Sequence, residues 1–336
     1  MTDIDNHLKE ILQGLSKKQK KVLNERMGLT GRLRTLQAIG EDLGVTRERI
    51  RQIESSSLDK VKPKLEERFE SFFEDVINHL KNFGGVRKDN HFIKDVSHIG
   101  KLKKDTDHLD HKIRFVFLVS SPLSFYEEDE DFHDFWYVHE DHKEELFELV
   151  EEMIQFFEEQ ERQKVIEEKP YLEKFGEIHL YHHVPISKKF GVNSFGDFGL
   201  RDWPEIEPKV VRDKAYLVLK KKKKPLHFRK IAKLIKEMGI DEEEAHVQTV
   251  HNEMIKDNRF VLVGRGMYGL AEQGYEGGTA KEVIKKLLKE EGPLSADEVI
   301  KRVNEKKILK DNTIILNLQD KNHFERLEDG RYDIKE

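Results

Sequence analysis

Arg47, Glu48, Arg51 and Gln52 fall within six consecutive positions, and their side chains are those that read base edges in duplex DNA. A guanidinium donates to guanine O6 and N7, a carboxylate accepts from cytosine N4, and a carboxamide pairs with adenine. They sit in the run TLQAIGEDLGVTRERIRQIE, residues 35–54. At 100° per residue, Ile50, Ile53, Ser57 and Val61 share one arc of a helix, while Arg47, Glu48, Arg51, Gln52 and Ser55 share the other. The inner arc suits packing and the outer arc suits contact with bases. Residues at the start of such a helix are the ones that enter the major groove.

The elements needed to hold that arc are also legible. Leu36, Ile39 and Leu43 give a preceding helix one apolar face. Gly44 can supply the permissive backbone of the turn, Val45 plugs the angle between the helices, and Thr46 is a good N-cap. A solvated amphipathic helix with ion pairs is the plain alternative. Glycine, cap and two-helix spacing together favour a helix-turn-helix.

A second constellation lies near the C-terminus. Segments beginning at Lys214 and Lys281 resemble each other: a helix, a Pro-Leu turn (Pro225-Leu226, Pro293-Leu294), two further helices and a short hairpin. Three helices and a hairpin make a winged helix, here expected twice. If the third helix of the first copy faces DNA, His246, Gln248, Thr249, His251 and Asn252 are its candidate contacts. Lys221 and Lys223 within the Lys220–Lys224 run, and Arg265 in the wing, would touch phosphate. The alternative is a solvated lysine loop and a helix that docks on protein.

Other patterns carry less. Gly264-x-Gly266-x-x-Gly269 has the form of a dinucleotide fingerprint, but that motif must open a helix, and Met267–Leu270 reads as a returning strand. His139-Glu140-Asp141-His142 and His182-His183 invite zinc, yet the chain has no cysteine and no His-Glu-x-x-His pattern. The acidic run at residues 127–131 reads as a solvated turn, and a role in holding basic surfaces off nonspecific DNA is its functional alternative. No enzymatic activity, cofactor or metal is expected.

The 336 residues carry a net charge of −6, unevenly spread. Residues 1–64 hold 14 Lys/Arg against 9 Asp/Glu, residues 65–200 hold 17 against 31, and residues 201–336 hold 29 against 26. Basic ends therefore flank an acidic middle, and distribution matters more than the sum because screening acts within about 8 Å. The fold class is mostly α and multi-domain, with small β-hairpin wings. Expected segments are a helix-turn-helix at 1–83, with a separate last helix from Leu65 to Phe83, and a degenerate winged helix at 84–140. An acidic helix and ordered connector at 141–207 follow, then winged helices at 208–276 and 277–336. The charged N-terminus and the lack of a long apolar run predict a soluble, cytoplasmic, nucleoid-associated protein.

Residues Leu15 to Val61, above all VTRERIRQIE, resemble region 4 of the primary bacterial sigma factors. That resemblance implies a helix-turn-helix binding the −35 promoter element, with double-stranded DNA and core RNA polymerase as partners. It makes Arg47, Glu48 and Gln52 base readers and gives Arg49 and Arg51 to phosphates or partner surfaces. No segment resembles the aromatic helix with which sigma factors melt promoters, so a regulator using one borrowed module is implied. Pro225-Leu226-His227-Phe228 and the run Arg259–Leu270 resemble the HARE helix-turn-helix, a winged helix found in the RNA polymerase delta subunit and in restriction and chromatin proteins. The leading expectation is a sequence-specific transcription regulator. Its rivals are a polymerase-docking adaptor and the DNA-recognition part of a restriction or repair system.

Overall fold

The computed structural model describes residues 3–103 and 106–335. It divides into two units, Met1–Phe190 and Gly191–Glu336.

The first unit opens with α1 (Ile4–Leu12), α2 (Lys17–Arg26), α3 (Leu36–Leu43) and α4 (Arg47–Lys81). Side-chain caps start each of them. Ser16 and Gln19 form a reciprocal capping box, and Thr35 and Thr46 accept from the backbone N–H groups of Ala38 and Arg49, both at 3.2 Å. α1 packs Ile4, Leu8 and Ile11 into the core.

A larger difference is α4. The recognition helix and the expected separate helix after Leu65 are one helix of 35 residues, about 52 Å long at 1.5 Å per residue. Pro63 lies inside it without ending it. Its ring is exposed, so the one carbonyl it leaves unpaired can turn to water. The buried stripe continues past it through Ser57, Val61, Leu65, Phe69, Phe72, Val76 and Leu80.

Strand β1 (Val86–Lys88), α5 (Asp89–Ile99), α6 (Leu109–Ser120), β2 (Ser124–Tyr126) and β3 (Phe135–Tyr137) follow. β3 lies between β1 and β2, antiparallel to both, with Tyr137 opposite Val86 and Ser124. Together with the second half of α4, this is the helix–strand–helix–helix–strand–strand order of a winged helix. Phe92 stacks on Trp136 at 4.7 Å between ring centres. Trp136 in turn donates to buried Asp89, which Arg114 also engages. One apolar core runs from Ile4 to Val138, so the boundary expected at residue 83 does not separate two cores.

Helices α7 (Glu140–Glu159), α8 (Arg162–Glu168) and α9 (Tyr171–Ile178), then a π-helical turn at His179–His183, complete this unit. The segment expected at 141–207 is thereby split, its helices going to the first unit. Strands β4 (Phe190–Val192) and β5 (Phe198–Leu200) run around the division.

The second unit repeats the winged order twice. α10 (Val211–Lys222), β6 (Leu226–His227), α11 (Phe228–Glu237), α12 (Val247–Lys256), β7 (Phe260–Gly264) and β8 (Met267–Leu270) form the first copy, with strand order β6-β8-β7. α13 (Ala280–Glu291), α14 (Ala296–Lys306), α15 (Asp311–Leu318), β9 (Phe324–Arg326) and β10 (Tyr332–Ile334) form the second. There the first strand is reduced to one bridge, Leu294 to Tyr332. Each copy has its own apolar core. They are joined by Ile308 N donating to Val263 O and Lys307 Nζ to Leu262 O, both at 2.8 Å. No helix among the described residues is long and apolar enough to cross a membrane.

Candidate nucleic-acid interface

Val22, Ile39 and Ile50 are fully buried against one another, with Leu36, Leu43, Val45 and Ile53 around them. This small cluster fixes the first turns of α4 against α2 and α3. Gly44 closes α3 with φ +65°, a left-handed conformation that costs a non-glycine residue about 1 kcal/mol or more. Gly40 has a different and stricter reason. A Cβ there would sit 2.7 Å from the backbone oxygen of Val45, so only glycine lets α3 approach the turn. The sequence marked Gly44 and passed over Gly40.

Two ion-pair groups missed by sequence reasoning brace the same motif. Arg26 donates to Glu54 at 3.0 Å and to the carbonyl of Arg34 at 2.7 Å, tying α2 to α4. Arg34 engages Glu25 at 3.0 Å, Asp42, and the carbonyl of Ala38 at 3.2 Å. Arg34 holds the Asp42 carboxyl below its ordinary value, by hydrogen bond first and by charge second. Their signal, opposite charges spaced 8 and 28 residues apart, is visible only once the helices pack.

The outward arc of α4 is as expected in composition. Arg47, Glu48, Arg49, Arg51 and Gln52 are all exposed at its N-terminal end. Glu48 accepts from Arg51 Nε and Nη2 at 2.9 and 2.8 Å, and Gln52 accepts from Arg49 at 2.9 Å. The hydrogen bond from Arg51 pulls the Glu48 carboxyl below its ordinary 4.5. These pairs lie on an open face with side chains 58–61% exposed for Glu48 and Arg51, where ion pairs are weak and exchange readily. The arc therefore offers donors and acceptors that incoming bases and phosphates can take over.

The third helix of the first unit's winged fold, α6, offers no such face. Lys112, Ile113, Phe115, Val116, Phe117 and Ser120 are buried, and Lys112 pairs with Asp5 at 2.5 Å. The acidic turn in its wing is also partnered: Glu128 with Lys188 at 2.5 Å, and Asp131 with Lys189. These lysines partner two of the five carboxylates at 127–131, and the turn itself stays exposed.

In the second unit the candidates separate. Gln248, Thr249 and Asn252 are exposed on α12, with Gln248 donating to Asn252 at 2.9 Å and Thr249 3.4 Å from His246. Lys223 and Arg265 are exposed as well. Two expectations need correction. Lys221 is pinned by Asp197 at 2.5 Å and lies 5.0 Å from the Phe195 ring, because the connector folds back along α10. Neighbouring Lys220 faces Glu205 and Glu272. His251 lies between Phe228, 4.5 Å away, and the Tyr268 hydroxyl at 3.1 Å, so it holds α12 to the sheet.

The glycine-rich wing now has a packing explanation. Added Cβ atoms would lie 3.0 Å from Ile308 O at Gly264, 2.7 Å from the His227 ring at Gly266, and 2.6 Å from the Tyr275 ring at Gly269. Gly269 lies in β8 opposite Val261. The spacing serves close approach of the hairpin to β6, to the segment after β8 and to the second winged copy. Arg259, at the start of the wing, grips Asp257 and Asp213 and lies 4.8 Å from the Tyr216 ring.

Comparison with known proteins agrees with this division. Residues 11–62 match the family model for sigma-70 region 4, and residues 209–273 match that for HARE-HTH, the helix-turn-helix domain of ASXL and restriction endonuclease proteins. Similar proteins include RNA polymerase sigma factor sigB of Arabidopsis thaliana, 50% identical over 58 residues, which are 17% of this chain and 10% of the relative. RNA polymerase sigma factor SigA of Bacillus sp is 42% identical over 73 residues, covering 21% of this chain and 19% of the relative. The chain thus spans a fifth or less of the length of these relatives, and both expected resemblances are met at the expected residues.

Proposed function

We propose that this chain is a sequence-specific DNA-binding regulator of transcription that reads duplex DNA with the N-terminal end of α4. The observation that carries the reading is the exposed Arg47–Gln52 arc on a helix whose opposite side is locked by buried Ile50. Arg47, Glu48 and Gln52 read bases, and Arg49 and Arg51 hold phosphates. The match of residues 11–62 to sigma-70 region 4 supports a promoter-like target and core RNA polymerase as second partner.

In the second unit, Gln248, Thr249, Asn252, Lys223 and Arg265 form a second DNA contact of the HARE-like winged helix. Two modest modules on one chain raise apparent affinity through effective concentration. The protein works in the cytoplasm at the nucleoid, and acts by binding, without catalysis or cofactor.

Selection from random duplexes tests this. Wild type should enrich a defined site, and Arg47→Ala and Gln52→Ala should each relax one position by about 1–3 kcal/mol. If both variants select the wild-type site with equal stringency, the reading fails. A polymerase-docking adaptor would instead retain polymerase and hold no DNA at low salt.

A further inference from the structure

A histidine-rich junction lies at the far end of α4, away from the reading arc. Gly84 and Gly85 lead out of the helix, and each has an imidazole where a side chain would be. A Cβ on Gly84 would sit 2.4 Å from His183 Nε2, and one on Gly85 2.1 Å from the His142 ring. His183 belongs to the π-helical turn His179–His183, a rare form that concentrates at functional positions.

Proton positions follow from the partners. His183 is only 6% exposed, and its Nε2 lies 2.9 Å from the Phe83 carbonyl, which accepts and cannot donate. Nε2 therefore carries the proton. In the neutral ring Nδ1 is bare and accepts from His179 Nδ1, 2.7 Å away. His182 Nδ1 lies 2.6 Å from Arg87 Nη1. A guanidinium only donates, so this nitrogen is bare too. The His182 ring also packs on Phe83 at 4.3 Å. Both imidazoles hold the turn through a lone pair that a second proton would remove.

The surroundings oppose that proton. His79 faces the junction from α4, Arg87 from β1, and His142 from α7. His91 and Asp95 face it from α5, and Lys88 and Lys94 act on His91. Asp95 is already engaged by Arg87 at 2.7 Å, with His79 3.4 Å away. Burial first, then Arg87, keeps His182 below its ordinary 6.5. Burial, with the histidines around it, brings His183 down to about 4 against the opposing pull of the Phe83 carbonyl.

We propose that the turn His179–His183 is an acid-released latch, closed on Phe83, Gly84 and Arg87 while His182 and His183 are neutral and opened when they take up protons. Because both groups are depressed in the closed form, the latch is fully stable above about pH 6.5 and loses stability as pH falls below it. For His183 the loss continues to about pH 4. Each imidazole that gains a proton on opening makes opening about tenfold easier per pH unit.

The test uses the full chain with 15N-labelled histidine, and hydrogen exchange of residues 176–190 corrected for the intrinsic pH dependence of exchange. Expected are two imidazoles with the proton on Nε2, both titrating below 6.5 and His183 down at about 4. Protection of 176–190 should fall about 10- to 100-fold per pH unit below pH 6. His182→Asn keeps an acceptor at the Nδ1 position and His183→Gln a donor at the Nε2 position, neither titrating. Each should lower the slope by about one proton. Ordinary titration of both rings near pH 6.5, or protection unchanged from pH 7 to 4.5, overturns the latch. If a variant does not fold, the wild-type titration alone decides. The measurement involves no DNA, so its failure leaves the proposed function standing.

Discussion

Side chains of one kind have been put to opposite uses. Lys221 and Lys223 stand two apart in a lysine run, yet Lys221 is held by Asp197 and Lys223 is exposed. Lys223→Ala should reduce the slope of log affinity against log salt by about 0.9, the share of one released counterion, in a titration from 50 to 200 mM salt. Lys221→Ala should leave that slope nearly unchanged. Glu48 makes a pH statement of its own. Since Arg51 depresses it, its carboxylate stays ionised below its ordinary 4.5, and any cytosine preference it contributes should persist at pH 5. In Arg51→Ala that preference should fade at higher pH than in wild type, as followed by competition binding of cytosine and thymine sites.

Among the elements, α4 is decisive, because one helix supplies the reading end, the floor of the N-terminal core and the first helix of a winged fold. Pro63 is its weak point. An exposed proline inside a helix is up to about 3 kcal/mol less favourable than alanine, so Pro63→Ala should raise the urea midpoint with little change in slope. The α3–α4 turn separates two roles of glycine. Gly44→Ala should cost about 1–2 kcal/mol, since only the left-handed backbone resists it and the space is open. Gly40→Ala should cost more and weaken DNA selection, because the Cβ meets backbone at 2.7 Å and must push α3 off the turn. Thermal unfolding paired with site selection distinguishes the two. Equal effects would refute the close-approach argument.

Across the whole molecule, an overall charge of −6 would discourage DNA if it were uniform, but the charge is segregated and partly paired. Binding should be steeply salt-dependent, and removing the charges of Arg49, Lys223 and Arg265 together should lower the slope by about 2.7, the sum of three counterion shares. The sequence by itself determined the modules, since helical periodicity, N-caps, turn glycines and the repeated Pro-Leu turn are all local signals. It also determined which residues line the outer arc of the recognition helix. Tertiary structure decided which charges are free, which glycines are tight, and that the N-terminal modules share one core. The reason is physical: partners such as Arg26 and Glu54, Lys221 and Asp197, or His183 and Phe83 are 28, 24 and 100 residues apart. No periodicity in the chain records a meeting at that separation. Pro63, read locally, argues for a helix end, and only the continuous buried stripe beneath it shows why the helix goes on.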